Sequence, residues 1–252
     1  MSSFRLTGDG AMERLVPEKY RIFSGSALKT MAVMSMIIDH VAFVLVQRMA
    51  VGYWQIMGTR LTVYSLMRCI GRLAFPIYCF LLVEGFVHTH DRRRYGLRLL
   101  VFAVISELPW NLVHTGRLLY ERQNVFFTLA LGFIALCLAE GLEKDAEHRA
   151  LYALGLAAVV AAGLWGRMDY GAVGVGIILM MYVLRERAVL RAAAGVCLLP
   201  NTWIAGLAFV PIALYNGKRG FIRSKTAQIA FYAVYPVHLL LLYFLRWHYF
   251  GY

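Results

Sequence analysis

The chain has 252 residues, of which 60% are hydrophobic and only 16% charged, with a formal net charge of +12. So low a charged fraction excludes an ordinary soluble domain, in which about a quarter of residues carry charge, and so apolar a composition excludes disorder. What remains is an integral membrane protein in which, at about 20 residues per crossing, no length is left for a separate soluble catalytic domain.

Residues 1–26 are polar and basic, and Met12 to Phe23 has the pattern of a short amphipathic helix lying on the membrane surface. The opening MSSFRLTGDGAMER contains no apolar run, so the first membrane helix is expected to be its own insertion signal. Residues 27–252 form a single transmembrane domain, with apolar runs at 27–46, 61–87, 97–113, 125–139, 150–165 and 170–184. A further stretch, 189–214, is broken near Pro200 and Asn201 into two short pieces, and 228–245 closes the set. The fold class is all-α, a polytopic helical bundle with about nine transmembrane helices.

The cations sort between these runs, which excludes nucleic acid as partner and leaves membrane lipid. With the N-terminus in the cytoplasm, about 18 Lys and Arg fall inside and about six outside, the asymmetry of the positive-inside rule. The basic stretch from Lys218 to Lys225 is then cytoplasmic. Cys69, Cys79, Cys137 and Cys197 lie in or beside apolar segments without CxxC spacing, so they read as packing residues, and no metal site is expected.

A few ionisable residues stay inside the apolar runs, and each costs about 2.5–3.5 kcal/mol at a helix centre unless paired or hydrated. Asp39 and His40 are adjacent in the first run. His40 has the side chain of a general base near neutrality, and Asp39 can brace or orient. Arg68 and Arg72 share a helix face ahead of a kink at Pro76. Arg72 suits a phosphate or carboxylate and equally a pairing with Asp39 and Glu107, whereas Arg68, nearer the interface, is expected to snorkel. Asp39, Arg72 and Glu107 are expected at similar depth, as one buried cluster. Gln123 and Asn124 open the next span, as helix cap or as hydrogen-bond donors. In the last run Tyr232, Tyr235 and His238 recur every three residues beside Pro236.

The DH pair, RCIGRLAFPIYCFLLVEGFVHT, SELPW, QNVFFTLALG, YNGKRG and FYAVYPVHLLLLY, in this order and spacing from Leu28 to Tyr243, resemble the TraX family, whose named member acetylates F-type pilin. The resemblance implies a bacterial cytoplasmic-membrane acetyltransferase with acetyl-CoA as donor. Its acceptor would be a pilin N-terminus, a cell-surface sugar or a small molecule. Asp39, His40, Arg72, Glu107, Gln123, Asn124, Tyr235 and His238 occupy the family's polar motif positions. Acetyl transfer needs a base, oxyanion donors and cations for the CoA phosphates. His40 oriented by Asp39 could supply the first, with His238 as its rival, and Asn124, Gln123 or Tyr235 the second. The basic loops at Arg92 to Arg98 and Lys218 to Lys225, with Arg93, Arg94, Lys218 and Arg219 foremost, could supply the third. Direct transfer is expected, with an acetyl-histidine at His40 as the other route.

Two other classes compete. A proton-coupled transporter would explain broken helices and buried acid–base residues, but no internal repeat accompanies them. A non-catalytic assembly factor would use the buried charges for packing alone.

Overall fold

The computed structural model describes residues 16–49, 52–56, 59–199 and 203–251. The break at Pro200 and Asn201, and the first part of the amphipathic segment from Met12, lie outside the described residues. Within the remainder of that segment a single 3-10 turn forms at Glu18–Tyr20.

Among the described residues there are nine apolar helical segments, five of them long enough to cross a membrane and four shorter. The long ones are α1 (Gly25–Val44), the broken pair α2 (Val63–Gly71) and α3 (Ala74–His88), α4 (Arg92–Thr115), α5 (Val125–Lys144) and α10 (Lys225–Phe250). The shorter ones are α6 (Arg149–Trp165), α7 (Gly171–Val183), α8 (Ala188–Cys197) and α9 (Phe209–Ala213), the last preceded by a 3-10 turn at Trp203–Ala208. A small antiparallel hairpin, β1 (Tyr53–Ile56) and β2 (Thr59–Thr62), precedes α2. Thr62 and Ser65 then start α2 with reciprocal side-chain caps of 3.0 and 2.9 Å.

Helix direction alternates, which gathers the basic loops on one face. Arg92 at the start of α4 pairs with Glu140 near the end of α5, and the Tyr182 hydroxyl near the end of α7 lies 3.5 Å from Glu143. On the opposite face Gln123, before α5, exchanges backbone hydrogen bonds with the α6–α7 loop, to Arg167 O at 3.2 Å and from Asp169 N at 3.1 Å. Ten-residue α8 rises about 15 Å, half of the roughly 30 Å hydrocarbon core. The chain after α9 returns to the basic face, where Phe23 N donates to Leu214 O at 3.0 Å and Asn216 N to Phe23 O at 2.9 Å. This return keeps 218–225 on the same side as the start of α1.

Two glycines set the frame of the site. The YNGKRG loop docks on the first turn of α1, where Gly25 N and Ser26 N donate to Lys218 O and Arg219 O at 2.8 and 2.9 Å. Gly220 holds φ +86 there, and a Cβ would lie 2.3 Å from the Ser24 hydroxyl. At the α1–α2 crossing a Cβ on Gly71 would lie 2.1 Å from an Asp39 carboxylate oxygen, so the helices meet through that glycine.

Pro76 sits in the first turn of α3 and lacks the N–H that would continue the helix from Arg72. The break falls at Arg72–Leu73, and Ser35 Oγ on α1 donates to the carbonyls of Ile70 and Gly71 at 2.5 and 3.3 Å.

Candidate active site

The centre of the site is a pair of histidines. His40, three-quarters of the way along α1, brings Nδ1 within 2.7 Å of Nε2 of His238 on α10, and the rings stack at 4.9 Å. The other nitrogen of His238, Nδ1, lies 2.7 Å from the Val234 carbonyl. A carbonyl oxygen only accepts, so His238 Nδ1 carries its proton. In the neutral ring Nε2 is then an acceptor, and His40 Nδ1 must donate to it. A neutral His40 is thereby left with a lone pair on Nε2.

Asp39 does not orient His40, contrary to the expectation from sequence. Neighbours on a helix point about 100° apart, so His40 turns to α10 and Asp39 turns to α2, where it pairs with Arg68. Arg68 therefore does not snorkel away. The expected single cluster of Asp39, Arg72 and Glu107 is also divided. Arg72, last residue before the break, stays within electrostatic reach of Asp39 and of Asp169. Glu107 instead accepts from Asn124 Nδ2 at 2.7 Å.

Asn124 is fully buried, and its side chain is spent on structure. Its Oδ1 caps α5 by accepting from Phe126 N at 3.0 Å, while Nδ2 donates to Ala103 O at 2.8 Å as well as to Glu107. With both amide hydrogens committed, it has none to offer a developing oxyanion. Gln123 acts through its backbone, holding the α6–α7 loop. Of the three candidate donors Tyr235 remains. Its ring packs edge-on against both His40 and His238, at 6.0 and 5.6 Å, and its buried hydroxyl faces the backbone N–H of Val125, the first residue of α5.

A cavity approaches this centre as far as Tyr235, which packs on the histidines, although neither His40 nor His238 lines it. From the basic face this cavity, of about 470 Å³, runs between α1, α3, α4 and α10 and ends at Val125, Phe126 and Tyr235. Its mouth is lined by Lys29, Arg98 and Arg219, its walls by Tyr78, Tyr95 and Tyr232. Arg93, Arg94 and Lys218, expected to face a ligand, do not line it. They are exposed, and Arg94 pairs with Asp91 at 2.9 Å.

On the opposite side lies a cluster of mixed charge. The side chains of Asp39 and Arg68 retain 20% and 25% exposure there. Asp169, in the α6–α7 loop, is exposed yet set among protein mass. That surrounding mass, with Asp39 beside it, pushes its carboxyl up to about 6 against the pull of Arg68, Arg72 and Arg122.

Lys29, His114 and Asp169 were not singled out from sequence, whereas Arg98 fell within the basic stretch expected to meet the donor phosphates. Lys29, Val33 and Met36 line the cavity, and His40 continues their spacing along α1, so the helical period carried a signal for Lys29. His114 lies 5.0 Å ring to ring from Phe43 and 5.8 Å from Tyr120. Asp169 stands in no apolar run, and only the backbone bridge to Gln123 brings it in.

Fold and site together define a polytopic membrane protein with a histidine pair set between a basic cavity and a cluster of mixed charge. The family model described as TraX protein matches residues 24–246, and the chain belongs to this family. A probable fimbrial assembly protein FimC, serogroup H1, from Dichelobacter nodosus is 32% identical over 247 residues, covering 87% of this chain and 94% of that protein. No solved structure matches.

Proposed function

We propose that the protein is a membrane-embedded acyltransferase of the bacterial cytoplasmic membrane. It moves an acetyl group from acetyl-CoA, admitted through the basic, cytoplasmic cavity, to an amine or hydroxyl presented from the opposite face. The observation that carries this reading is the His40–His238 pair. Its tautomers are fixed by the Val234 carbonyl, so His40 Nε2 is a base before any substrate arrives.

The chemistry divides among the residues as follows. His40 Nε2 takes the proton of the acceptor N–H or O–H as the acceptor's lone pair attacks the thioester carbonyl carbon. Tyr235 O–H, with the Val125 N–H directed at its oxygen, is the donor for the negative charge that develops on the carbonyl oxygen. When the C–S bond breaks, the imidazolium of His40 returns its proton to the departing sulfur. His238 accepts from His40 Nδ1 throughout and supports the positive charge without touching substrate.

The relative named for fimbrial assembly, together with the family, favours an exported pilus subunit as acceptor over a surface sugar or small molecule. The test has two parts. Purified protein in liposomes is given acetyl-labelled acetyl-CoA on the basic face and a pilin N-terminal peptide, a sugar or a simple amine on the other. Pilus subunits and envelope sugars from cells with and without the gene are weighed by mass spectrometry. Label reaching an acceptor across the membrane supports the reading. Solute uptake coupled to protons with no acetyl transfer replaces it with a carrier, and intact assembly by a His40→Ala protein replaces it with a non-catalytic assembly factor.

A further inference from the structure

The mouth of the cytoplasmic cavity is electrostatically unbalanced. Lys29, on the second turn of α1, is acted on by Arg98 from α4 and Arg219 from the 214–224 loop, both of like sign. None of the three makes an ion pair among the described residues, whereas Arg92, Arg94 and Lys144 on the same face do. Arg98 Nε is buried without a hydrogen-bond partner. Glu84 lines the same cavity, but the groups that act on it are His88 and Tyr215, which line it too, and Arg191, not the three cations. A fold does not gather three like charges around a cavity, with a guanidinium nitrogen unsatisfied, for packing alone. Such a cluster costs stability until an anion neutralises it.

The walls narrow the choice of anion. The guanidinium of Arg98 lies 5.6 Å from the Tyr95 ring centroid, and Lys29 Nζ lies 5.7 and 5.9 Å from those of Tyr232 and Phe231. Below them the tyrosine walls lead to Tyr235. The space therefore combines a polyanion-binding rim with a deep aromatic channel, and this suits a ligand with clustered phosphates at one end and a slender neutral chain at the other.

We infer that Lys29, Arg98 and Arg219 form a polyphosphate site that anchors the nucleotide end of the acyl donor. Arg98 is the innermost contact and Arg219, exposed on its loop, the outermost. The assignment rests on the acyltransferase reading for the identity of the ligand, but not for the existence of an anion site. It also gives a purpose to the docking of the YNGKRG loop on α1, which brings Arg219 to the rim with Lys29.

The test uses the full chain in nanodiscs of zwitterionic lipid, with affinities for CoA, 3′-dephospho-CoA and pantetheine measured by calorimetry. CoA is expected to bind more tightly than dephospho-CoA, and pantetheine most weakly. Arg98→Gln, Lys29→Gln and Arg219→Gln should each weaken CoA at least about tenfold, equivalent to about 1.4 kcal/mol, and flatten its salt dependence. They should leave pantetheine unchanged. Arg98→Lys, which keeps the charge, recovers most of the CoA affinity, and Arg187→Gln, an exposed cation away from the cavity, binds as wild type. Variants that bind CoA within twofold of wild type overturn the site. So does a wild type whose affinity for pantetheine equals that for CoA.

Phosphatidylglycerol nanodiscs separate the other source of phosphate. If that lipid binds through the same three cations and CoA does not bind at all, the site belongs to a lipid headgroup and the donor assignment falls. Turnover of acetyl-pantetheine separates the two proposals. Loss of CoA affinity in the variants, with a wild type that transfers acetyl from neither acetyl-CoA nor acetyl-pantetheine, keeps the anion site and removes the acyltransferase. Unchanged KM for acetyl-CoA in all three variants does the reverse.

Discussion

The basic cavity and the mixed-charge cluster on the opposite face are built on different electrostatic principles. In the cluster charges of both signs meet, with Asp39 on Arg68 and with Asp169 among Arg68, Arg72 and Arg122. In the basic cavity Lys29 faces Arg98 and Arg219, and none of the three makes an ion pair among the described residues. The first set is largely neutralised by its own members, whereas the second leaves its charge to a ligand in the reading proposed above. The histidine pair between them belongs to neither, which in the proposed mechanism lets it take a proton from the acceptor and return it to the departing sulfur.

The largest expected effect tests that division at its centre. His40→Ala should lower kcat about 10²–10⁴-fold with donor affinity unchanged, as measured by single-turnover transfer and CoA calorimetry. An equal loss of CoA affinity would place His40 in the donor site instead. Tyr235→Phe removes one oxyanion donor and should cost about 10²–10³-fold in kcat, with KM little changed, because the hydroxyl acts on charge that exists only in the transition state.

His238 sharpens the comparison, since it is a positioning residue. His238→Ala leaves His40 Nδ1 without an acceptor and frees its tautomer. His238→Gln can still accept through its side-chain oxygen and should recover part of the rate. If Gln and Ala are equally impaired while the pH–rate profile keeps its shape, the relay is wrong and His238 is only packing.

How far these residues were legible follows from what periodicity can encode. His40, His238 and Tyr235 stood out because ionisable and hydroxyl groups in apolar helices are costly, and their partners lie on neighbouring helices at matching depth. Direction around the helix axis was not legible to the same degree. Asp39 and His40 are adjacent in sequence yet serve different helices, and Arg68 rather than Arg72 meets Asp39 because the chain breaks at Arg72–Leu73. Asn124 looked like a free donor until Ala103 and Glu107 claimed both its hydrogens. Charge density drew attention to the stretch Arg92 to Arg98, but the cavity selects by position around α4, so it takes Arg98 and leaves Arg93 and Arg94, and it adds Lys29 from α1.

A smaller effect is expected in the mixed-charge cluster, where the Asp39–Arg68 pair keeps some solvent contact. Asp39→Asn and Arg68→Gln should each destabilise by about 1–3 kcal/mol, as one partner is left under-satisfied. The double variant should lose less than the sum, with a coupling of about 0.5–3 kcal/mol read from thermal unfolding in detergent. Strict additivity would show that the pair contributes nothing and that water, not Arg68, satisfies Asp39.

The smallest effect belongs to Asp169, and its sign distinguishes the cluster from an ordinary surface. Its carboxyl is pushed up to about 6 by the protein around it and by Asp39, whereas an unfolded chain ionises aspartate near about 3.9. Folding therefore disfavours the ionised form, and the linkage runs opposite to that of a salt-bridged aspartate. Below the unfolded value both states are protonated and Asp169 has no effect on stability. As the pH climbs through about 6 the folded protein must also carry the charge, and stability is lost across that interval. Asp169→Asn should accordingly unfold at a higher temperature than wild type at pH 7.5 and at the same temperature at pH 4, as measured by scanning fluorimetry in one detergent. If the variant is less stable at pH 7.5, Arg68, Arg72 and Arg122 hold the ionised carboxylate more strongly than its surroundings oppose it. The cluster would then be a cation-dominated site suited to an anionic acceptor, and its contrast with the cytoplasmic cavity would disappear.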